Sequence, residues 1–156
     1  MSYDYASPGN RTTISNGINV VINQPGGTPS WDDCPCSLSG IIELSNSKPI
    51  SLSINNGQSG AVSINNNLQV KALNTGSGSY NLSITGGTNT VTDATTFANT
   101  GTLQIGGSAS SSNTFSAGFT ATVPSSITLA GTITSNGPTT IGDAGTPISL
   151  AAATTI

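Results

Sequence analysis

The sequence predicts an all-β protein, a parallel β-solenoid of about seven coils with roughly 21 residues in each coil. The first observation behind this prediction is a repeat of apolar–x–apolar pairs at steps of 22, 20, 20, 21, 24 and 21 residues. A repeat of this length is typical of stacked architectures, in which one coil cannot bury its apolar side chains alone. The pairs are Val20/Ile22, Ile42/Leu44, Val62/Ile64, Leu82/Ile84, Leu103/Ile105, Ile127/Leu129 and Ile148/Leu150.

The second observation is alternation within each repeat. The residue between the two apolar positions is polar in six of the seven cases, as in Glu43 and Gln104. This period of two predicts a β-strand with one buried and one exposed side. A second strand is expected about ten residues later in each coil. Its candidate positions are Leu52/Ile54, Leu68/Val70, Val91, Phe115 and Ile133.

The third observation is the turn composition. Asn and Gly follow the strands, as in Asn55-Asn56-Gly57 and Asn65-Asn66-Asn67, and both residue types tolerate the positive φ of sharp corners. Stacked coils also place like residues above one another at about 4.8 Å, so we expect Asn side chains to form hydrogen-bonded ladders. No amphipathic helix is expected in so Gly- and Thr-rich a chain.

The chain divides into two parts. Residues 1–17 are expected to form an N-terminal cap or arm, and residues 18–156 the solenoid. The solenoid includes an irregular Pro/Gly/Cys loop at residues 24–40, where three prolines argue against a central strand. An antiparallel β-sandwich remains an alternative, because short strands with Gly/Asn turns describe it as well.

Composition excludes several classes of function. Gly, Ser, Thr and Asn make up 82 of the 156 residues, and only 6% of residues are charged, with a net charge of −3. Nucleic-acid binding needs a basic surface, which three scattered bases do not provide, so no nucleic-acid partner is expected. No apolar run is long enough for a transmembrane helix, so membrane insertion is not expected. The uncharged, polar composition favours an extracellular or cell-surface location.

The sequence also argues against catalysis. It contains no histidine, which removes the usual general base. Asp32 and Asp33 are the only adjacent carboxylates, and consecutive residues of a strand point to opposite sides. We therefore expect no enzyme, no cofactor, no catalytic residue and no metal site.

The loop carries the candidate binding residues. Trp31, with Asp32 and Asp33, suits stacking on a sugar or anchoring an interface, or else Trp31 covers the open end of the first coil. Cys34 and Cys36 are expected to form a local disulfide or remain free thiols, or alternatively to crosslink neighbouring subunits. Two cysteines without a histidine fall short of the four ligands of a structural zinc site.

Threonine pairs suggest a minor alternative function. Flat solenoid faces with regular Thr arrays are the basis of ice binding. The Thr-Thr pairs at residues 12–13, 95–96, 139–140 and 154–155 are 83, 44 and 15 residues apart, which does not fit a 21-residue period.

Residues 40–150 resemble the passenger region of bacterial autotransporters and related filamentous-haemagglutinin-type adhesins. Phrases such as Asn99-Thr-Gly-Thr-Leu-Gln-Ile-Gly-Gly107 and Ala130-Gly-Thr-Ile-Thr-Ser-Asn-Gly137, with low charge and few cysteines, carry the resemblance. It implies a parallel β-helix displayed on a cell surface for adhesion.

Two functions follow as expectations. The first is a non-enzymatic extracellular surface scaffold or adhesin module, with a host-surface or glycan ligand. The alternative is a self-assembling subunit of an extracellular filament or phage fibre, joined to copies of itself through open strand edges. A repeat that continues in a longer parent chain would favour the first, and a chain that stops at Ile156 the second.

Overall fold

The computed structural model confirms the predicted fold. It describes residues 51–156 throughout, and before them only the backbone of four strands, at residues 13–15, 19–22, 35–38 and 43–45. Every strand pair in these segments is parallel, so the antiparallel sandwich is excluded. These residues form only strands, turns and bends, so the described chain offers no helix that could cross a membrane.

Each coil places strands on three faces of the stack. Face 1 contains, in order along the stack, β3 (Pro35–Leu38), β6 (Ala61–Ile64), β9 (Asn81–Ile84), β12 (Thr102–Ile105), the first part of β15 (Ser126–Ser135) and the first part of β17 (Ile148–Thr155). Face 2 contains β7 (Leu68–Val70), β10 (Thr88–Val91), β13 (Ser112–Phe115) and the second parts of β15 and β17. β1 (Thr13–Ser15) and β4 (Glu43–Ser45) form a separate two-stranded ladder.

Face 3 completes each coil. It contains β2 (Asn19–Ile22), β5 (Ser51–Ile54), β8 (Ala72–Thr75), β11 (Thr95–Thr96), β14 (Phe119–Ala121) and β16 (Thr139–Ile141). Its ladder is interrupted between β8 and β11, where the Thr75 hydroxyl donates to the carbonyl of Thr96 at 2.8 Å and accepts from the amide of Ala98 at 2.9 Å. A side chain therefore replaces the missing backbone pairing between two coils.

Five of the seven predicted pairs stack on face 1. The column of Val62, Leu82, Leu103, Ile127 and Ile148 is in register across five strands, and the second members of the pairs form the column beside it. Both columns are buried up to β15. The residues between them lie on the outer side and are partly exposed in β6 to β15, which confirms the alternation in these pairs.

The described residues of the first two predicted pairs do not lie on face 1. Val20 and Ile22 pair with Leu52 and Ile54 on face 3, and Leu44 pairs with Ile14 in the ladder of β1 and β4, whereas Ile42 lies outside the described residues. The positions of face 1 opposite Val62 and Ile64 are taken instead by Cys36 and Leu38. The solenoid therefore has about five coils, not seven, because spacing alone does not tell which face a pair occupies.

A core of aliphatic and aromatic side chains fills the space between the faces. Its aromatic part is a cluster of three fully buried phenylalanines near the middle of the described stack. The ring centroids of Phe97 lie 6.1 Å from Phe115 and 5.9 Å from Phe119 in edge-to-face contacts, and Phe115 and Phe119 are 4.4 Å apart. Phe97 follows β11, whereas Phe115 and Phe119 belong to β13 and β14 of the next coil. The cluster therefore ties these two neighbouring coils together.

Glycine at the corner of β15 allows one strand to serve two faces. The N-terminal part of β15 pairs with β12, and its C-terminal part pairs with β13. The bend occurs at Gly131, whose φ is 78° and whose hypothetical Cβ would lie 2.2 Å from the carbonyl oxygen of Ser111. Only glycine fits there, because any side chain would collide with the preceding coil.

Candidate binding surfaces of the solenoid

The outer side of face 2 carries an ordered array of hydroxyl groups. One column consists of Thr88, Ser112, Thr132 and Thr155, which lie opposite one another on successive strands. The second column consists of Gln69, Thr90, Thr114 and Thr134. Six of these eight residues are threonine, and all eight are partly or fully exposed. We call these two columns the hydroxyl array.

The array has the spacing of a parallel sheet. Neighbours along a column are about 4.8 Å apart, and the two columns are about 6.6 Å apart because they occupy alternate residues of each strand. Thr is β-branched, so its side chain has few rotamers and is stiff at χ1. The hydroxyl and methyl groups therefore repeat in two directions on a surface with little freedom.

The hydroxyl groups at the centre of the array are available to a ligand. Within residues 51–156, the hydroxyls of Thr90, Thr114 and Thr134 make no hydrogen bond to the protein. Face 1 differs, because the hydroxyl of Thr128 lies 3.1 Å from that of Ser149 and Gln104 donates to the carbonyl of Gly106 at 3.3 Å. Two outer hydroxyls of face 1 thus bond to each other, and the outer amide of Gln104 bonds to the backbone.

A ladder of buried amides supports the array from inside. Asn89 donates through Nδ2 to Oδ1 of Asn113 at 2.8 Å and to the carbonyl of Gly86 at 2.9 Å. Its Oδ1 accepts from the amide of Leu68 at 3.0 Å. Both asparagines are at most 3% exposed, so these bonds satisfy groups that water does not reach. The expected stacking of Asn on Asn is found here as a single bond inside face 2, which joins β10 to β13, while Asn89 also bonds β7. At the Asn-rich corners, Asn56, Asn65 and Asn67 bond Ser or Thr of the next coil instead.

Other Asn and hydroxyl side chains join coils near the surface. Oδ1 of Asn56 accepts from the amide and hydroxyl of Ser77, and Oδ1 of Asn67 accepts from the amide of Thr88. Oδ1 of Asn81 accepts from the amide of Thr102 in the same way. Each partner lies one coil away, so these side chains stabilise the stack where ion pairs are scarce.

Charge plays a small part in these surfaces. Residues 51–156 contain three charged side chains, and two of them, Lys71 and Asp93, form an exposed ion pair of 2.6 Å beside face 2. The third is Asp143, whose carboxylate accepts from the amide of Gly145 and the hydroxyl of Thr146, so its pKa is lowered. No group of three His, Cys, Asp or Glu within the described residues could hold a metal ion.

The last strand presents apolar side chains to solvent. Ile148 and Leu150 of β17 are 49% and 62% exposed, whereas their neighbours in the same columns, Ile127 and Leu129, are at most 1% exposed. On face 1, the described strands pair β17 only with β15. Among the described strands, β17 is therefore an edge strand of face 1, and it has exposed aliphatic side chains.

The residues that sequence reasoning singled out lie mostly outside the described residues. This holds for Trp31, Asp32, Asp33 and Cys34, for the cap at residues 1–17 apart from β1, and for most of the loop at residues 24–40. Pro35 begins β3, a position that proline tolerates, and the backbone of Cys36 is placed opposite Val62. Their binding and crosslinking roles stay predictions.

The hydroxyl array was missed by sequence reasoning, although a signal for it exists. Thr-Thr pairs do not build it, because adjacent residues of a strand point to opposite sides: Thr95 is buried and Thr96 is exposed. The correct unit is Thr-x-Thr, at Thr88/Thr90 and Thr132/Thr134, with Ser112/Thr114 between them. These units follow at steps of 24 and 20 residues, which is the spacing of the coils.

Comparison with known proteins adds no family to this description. No family model, no curated protein and no solved structure matches the chain. The class of protein rests on the fold itself, a parallel β-solenoid.

Proposed function

We propose that the chain is a non-enzymatic scaffold or adhesin module of an extracellular surface protein, in the style of an autotransporter passenger. The solenoid acts as a rod, and its outer surfaces and loops contact the ligand. The observation that carries this proposal is the continuous ladder of face 1 from β3 to β17, with uncharged polar residues on its outer side from β6 to β17. Such a rod is a rigid support, and its binding residues need no enclosed cavity.

The titratable groups of the described residues support a role without catalysis. Lys71 and Asp93 neutralise each other on the surface, and Asp143 is engaged in its own turn. Tyr80 is buried and donates to the carbonyl of Gly76 at 3.0 Å, and burial raises the pKa of its phenol. Apart from this exposed ion pair, none of these groups in residues 51–156 lies beside another titratable group that could act with it as general acid and base.

Protease treatment of intact source cells tests the location. We expect the chain to be cleaved, or removed from the surface, under conditions that leave a cytosolic marker protein intact. Cleavage only after lysis would contradict an extracellular role.

Binding of labelled chain to cells and to a glycan array tests the adhesin role. We expect Trp31→Ala to lose binding, because Trp31 is the predicted anchor. Val123→Ala is the matched control, since Val123 is an exposed apolar side chain elsewhere on the surface. Equal binding by the two variants would remove Trp31 from the site, and absence of binding by the unmodified chain would contradict the adhesin proposal.

The exposed edge of β17 favours a second function, end-to-end assembly into a filament. The exposed Ile148 and Leu150 continue two buried columns, so a further strand with apolar–x–apolar residues would complete the core. At the opposite end of face 1, β3 pairs only with β6 among the described strands. A second copy that places β3 against β17 would extend the ladder in parallel, and such a contact does not close on itself.

Light scattering on the size-exclusion eluate tests assembly. We expect multimers of the 15.4 kDa chain, which Leu150→Lys reduces to monomers. Ser149→Lys is the control, because Ser149 lies on the outer side of the same strand. A monomer for the unmodified chain would contradict assembly. Dissociation on adding reductant would assign the joint to Cys34 and Cys36 and not to β17.

A further inference from the structure

We propose that the hydroxyl array on face 2 is an ice-binding surface. This goes beyond a scaffold role and does not depend on where the rod is displayed. The proposal starts from the repeat in two directions, of about 4.8 Å by 6.6 Å, that the Thr columns impose on their hydroxyl and methyl groups. Groups at regular positions in two directions can contact a ligand whose own surface atoms are regularly spaced in two directions, such as a crystal face.

The chemistry of the array selects water as that ligand. Its eight residues are uncharged, and the central hydroxyls of Thr90, Thr114 and Thr134 are free to donate and accept. An ice surface is an uncharged lattice of hydrogen-bond donors and acceptors. The methyl groups between the hydroxyls add small apolar patches to the same surface.

The rigidity of the hydroxyl array favours binding to ice. Ordering a flexible surface on binding costs conformational entropy for every side chain that is immobilised. Here the Thr side chains have few rotamers, and the strands beneath them are fixed by the buried Asn89–Asn113 bond and by Phe115. The array is therefore ordered before it meets the ligand.

A polysaccharide surface and a protein partner fit the array less well. Sugar recognition uses exposed aromatic rings, and the four aromatic residues of the fully described segment, Tyr80, Phe97, Phe115 and Phe119, are at most 2% exposed. A stable protein interface buries about 800 Å² on each partner, whereas four strands and two columns cover roughly 200 Å².

The other faces provide a contrast within the same chain. The outer column of face 1 is Ser63, Ser83, Gln104, Thr128 and Ser149, which contains a single threonine. Face 3 has one Thr column, Thr96, Thr120 and Thr140, but no second column beside it. Two adjacent Thr-rich columns occur only on face 2 of the described stack.

An ice-adsorption experiment tests the proposal. A polycrystalline ice shell is grown slowly in a dilute solution of the purified chain, and the fraction of protein taken into the ice is measured. Thermal hysteresis and crystal faceting in a nanolitre osmometer provide a second readout. We expect the chain to enter the ice well above the level of a non-binding protein of similar size, and to facet the crystals.

Matched variants assign the effect to face 2. Thr114→Lys places a charge in the middle of the array, and we expect about a tenfold lower adsorption constant. Thr128→Lys is the control. Like Thr114, Thr128 is a partly exposed threonine on the outer side of its strand, but it lies on face 1. Far-UV circular dichroism checks that both variants are folded, and Thr134→Lys, at a more exposed site, replaces Thr114→Lys if that variant does not fold.

Three results would overturn the proposal. The first is an unmodified chain that ice excludes, and the second is an equal loss of adsorption in Thr114→Lys and Thr128→Lys. The third is binding to crystalline cellulose or chitin that Thr114→Lys abolishes while ice adsorption is absent, which would make face 2 a polysaccharide site. None of these results bears on the cell-surface experiment, so the two proposals fail separately.

Discussion

Face 1 and face 2 are built from the same coils, yet they bury different chemistry. From β6 to β15, face 1 places only aliphatic side chains on its inner side. Face 2 buries Val70, Val91 and Phe115 in one column. Its other column runs Leu68, Asn89, Asn113 and Ile133, so two amides lie between aliphatic side chains. Both faces keep their register across the stack. The comparison teaches that a buried column need not be aliphatic throughout, since amides fit into it where their hydrogen bonds are made.

The outer sides of the two faces differ in a complementary way. On face 1 the Thr128 and Ser149 hydroxyls lie within hydrogen-bond distance of each other, whereas on face 2 the Thr hydroxyls remain free. Face 2 thus satisfies the hydrogen bonds of its buried amides, whereas the hydroxyl groups on its outer side make no hydrogen bond to the described residues of the protein. This division is what suits face 2 to a ligand, and the predictions below test each half of it.

The largest effect is expected inside face 1. Leu103→Ala removes a side chain that is 1% exposed and lies between Leu82 and Ile127 in its column. We expect the free energy of unfolding to fall by about 2–5 kcal/mol, from lost burial and the cavity left behind. Urea denaturation followed by circular dichroism measures it. Gln104→Ala, on the outer side of the same strand, should change it by less than about 0.5 kcal/mol.

The amide ladder of face 2 should come next. Asn89→Ala leaves the amide of Leu68 and the carbonyl of Gly86 without their partner, at a cost of about 2–4 kcal/mol. A double-mutant cycle with Asn113→Ala should give a coupling free energy of about 0.5–3 kcal/mol. Additive effects of the two substitutions would show that the 2.8 Å contact between the amides does not hold the coils together.

A smaller effect, with a distinct pH dependence, is expected at the corner that leads into face 1. Tyr80→Phe removes a buried hydroxyl that donates to Gly76, at a cost of about 1 kcal/mol at neutral pH. Burial raises the pKa of the folded Tyr80 above its ordinary value. The unfolded chain therefore loses this proton first, and the contribution to stability is present below pH ~10 and disappears as pH rises further.

Denaturation of the two proteins between pH 8 and about pH 11 checks this prediction. The difference in unfolding free energy between the unmodified chain and Tyr80→Phe should shrink as pH rises. A constant difference across this range would show that the folded-state pKa of Tyr80 is not raised.

The smallest effect separates the outer sides of the faces. Thr128→Val removes a hydroxyl that is bonded to Ser149, and we expect a loss of about 0.5 kcal/mol in unfolding free energy. Thr114→Val removes a free hydroxyl and should change stability by less than that. Thermal melting of the pair measures the difference. A larger loss in Thr114→Val would mean that the hydroxyls of face 2 serve the fold.

The aliphatic ladder of face 1 could be predicted from the sequence, and the other faces only in part. Period-two alternation with Ile and Leu marks Leu82/Ile84 and Leu103/Ile105 directly, because these side chains have no reason to be exposed together. Face 3 gave a weaker signal. Phe97 lies just after a strand of two residues and Phe119 begins one of three, too short for a visible alternation.

The buried amides show why pattern alone was insufficient. Asparagine counts as polar, so alternation assigns Asn89 and Asn113 to the outer side of the sheet. The threonines beside them are then assigned to neither side. Burial of an amide is favourable only when its hydrogen bonds are made, and those bonds come from residues 3 to 24 positions away. Once the two asparagines are placed inside, the Thr-x-Thr units are necessarily outside.

The spacing of the ladders has a consequence for how the chain folds. In residues 51–156, partner residues on neighbouring strands are 20 to 24 positions apart in every ladder. The entropy lost in closing each loop is therefore nearly the same for every coil, however many coils already exist. Folding can therefore nucleate in a group of neighbouring coils anywhere in the stack and spread from there to adjacent coils. If such a chain emerges from a narrow pore starting at one end, its coils can fold one after another outside the pore as each of them emerges.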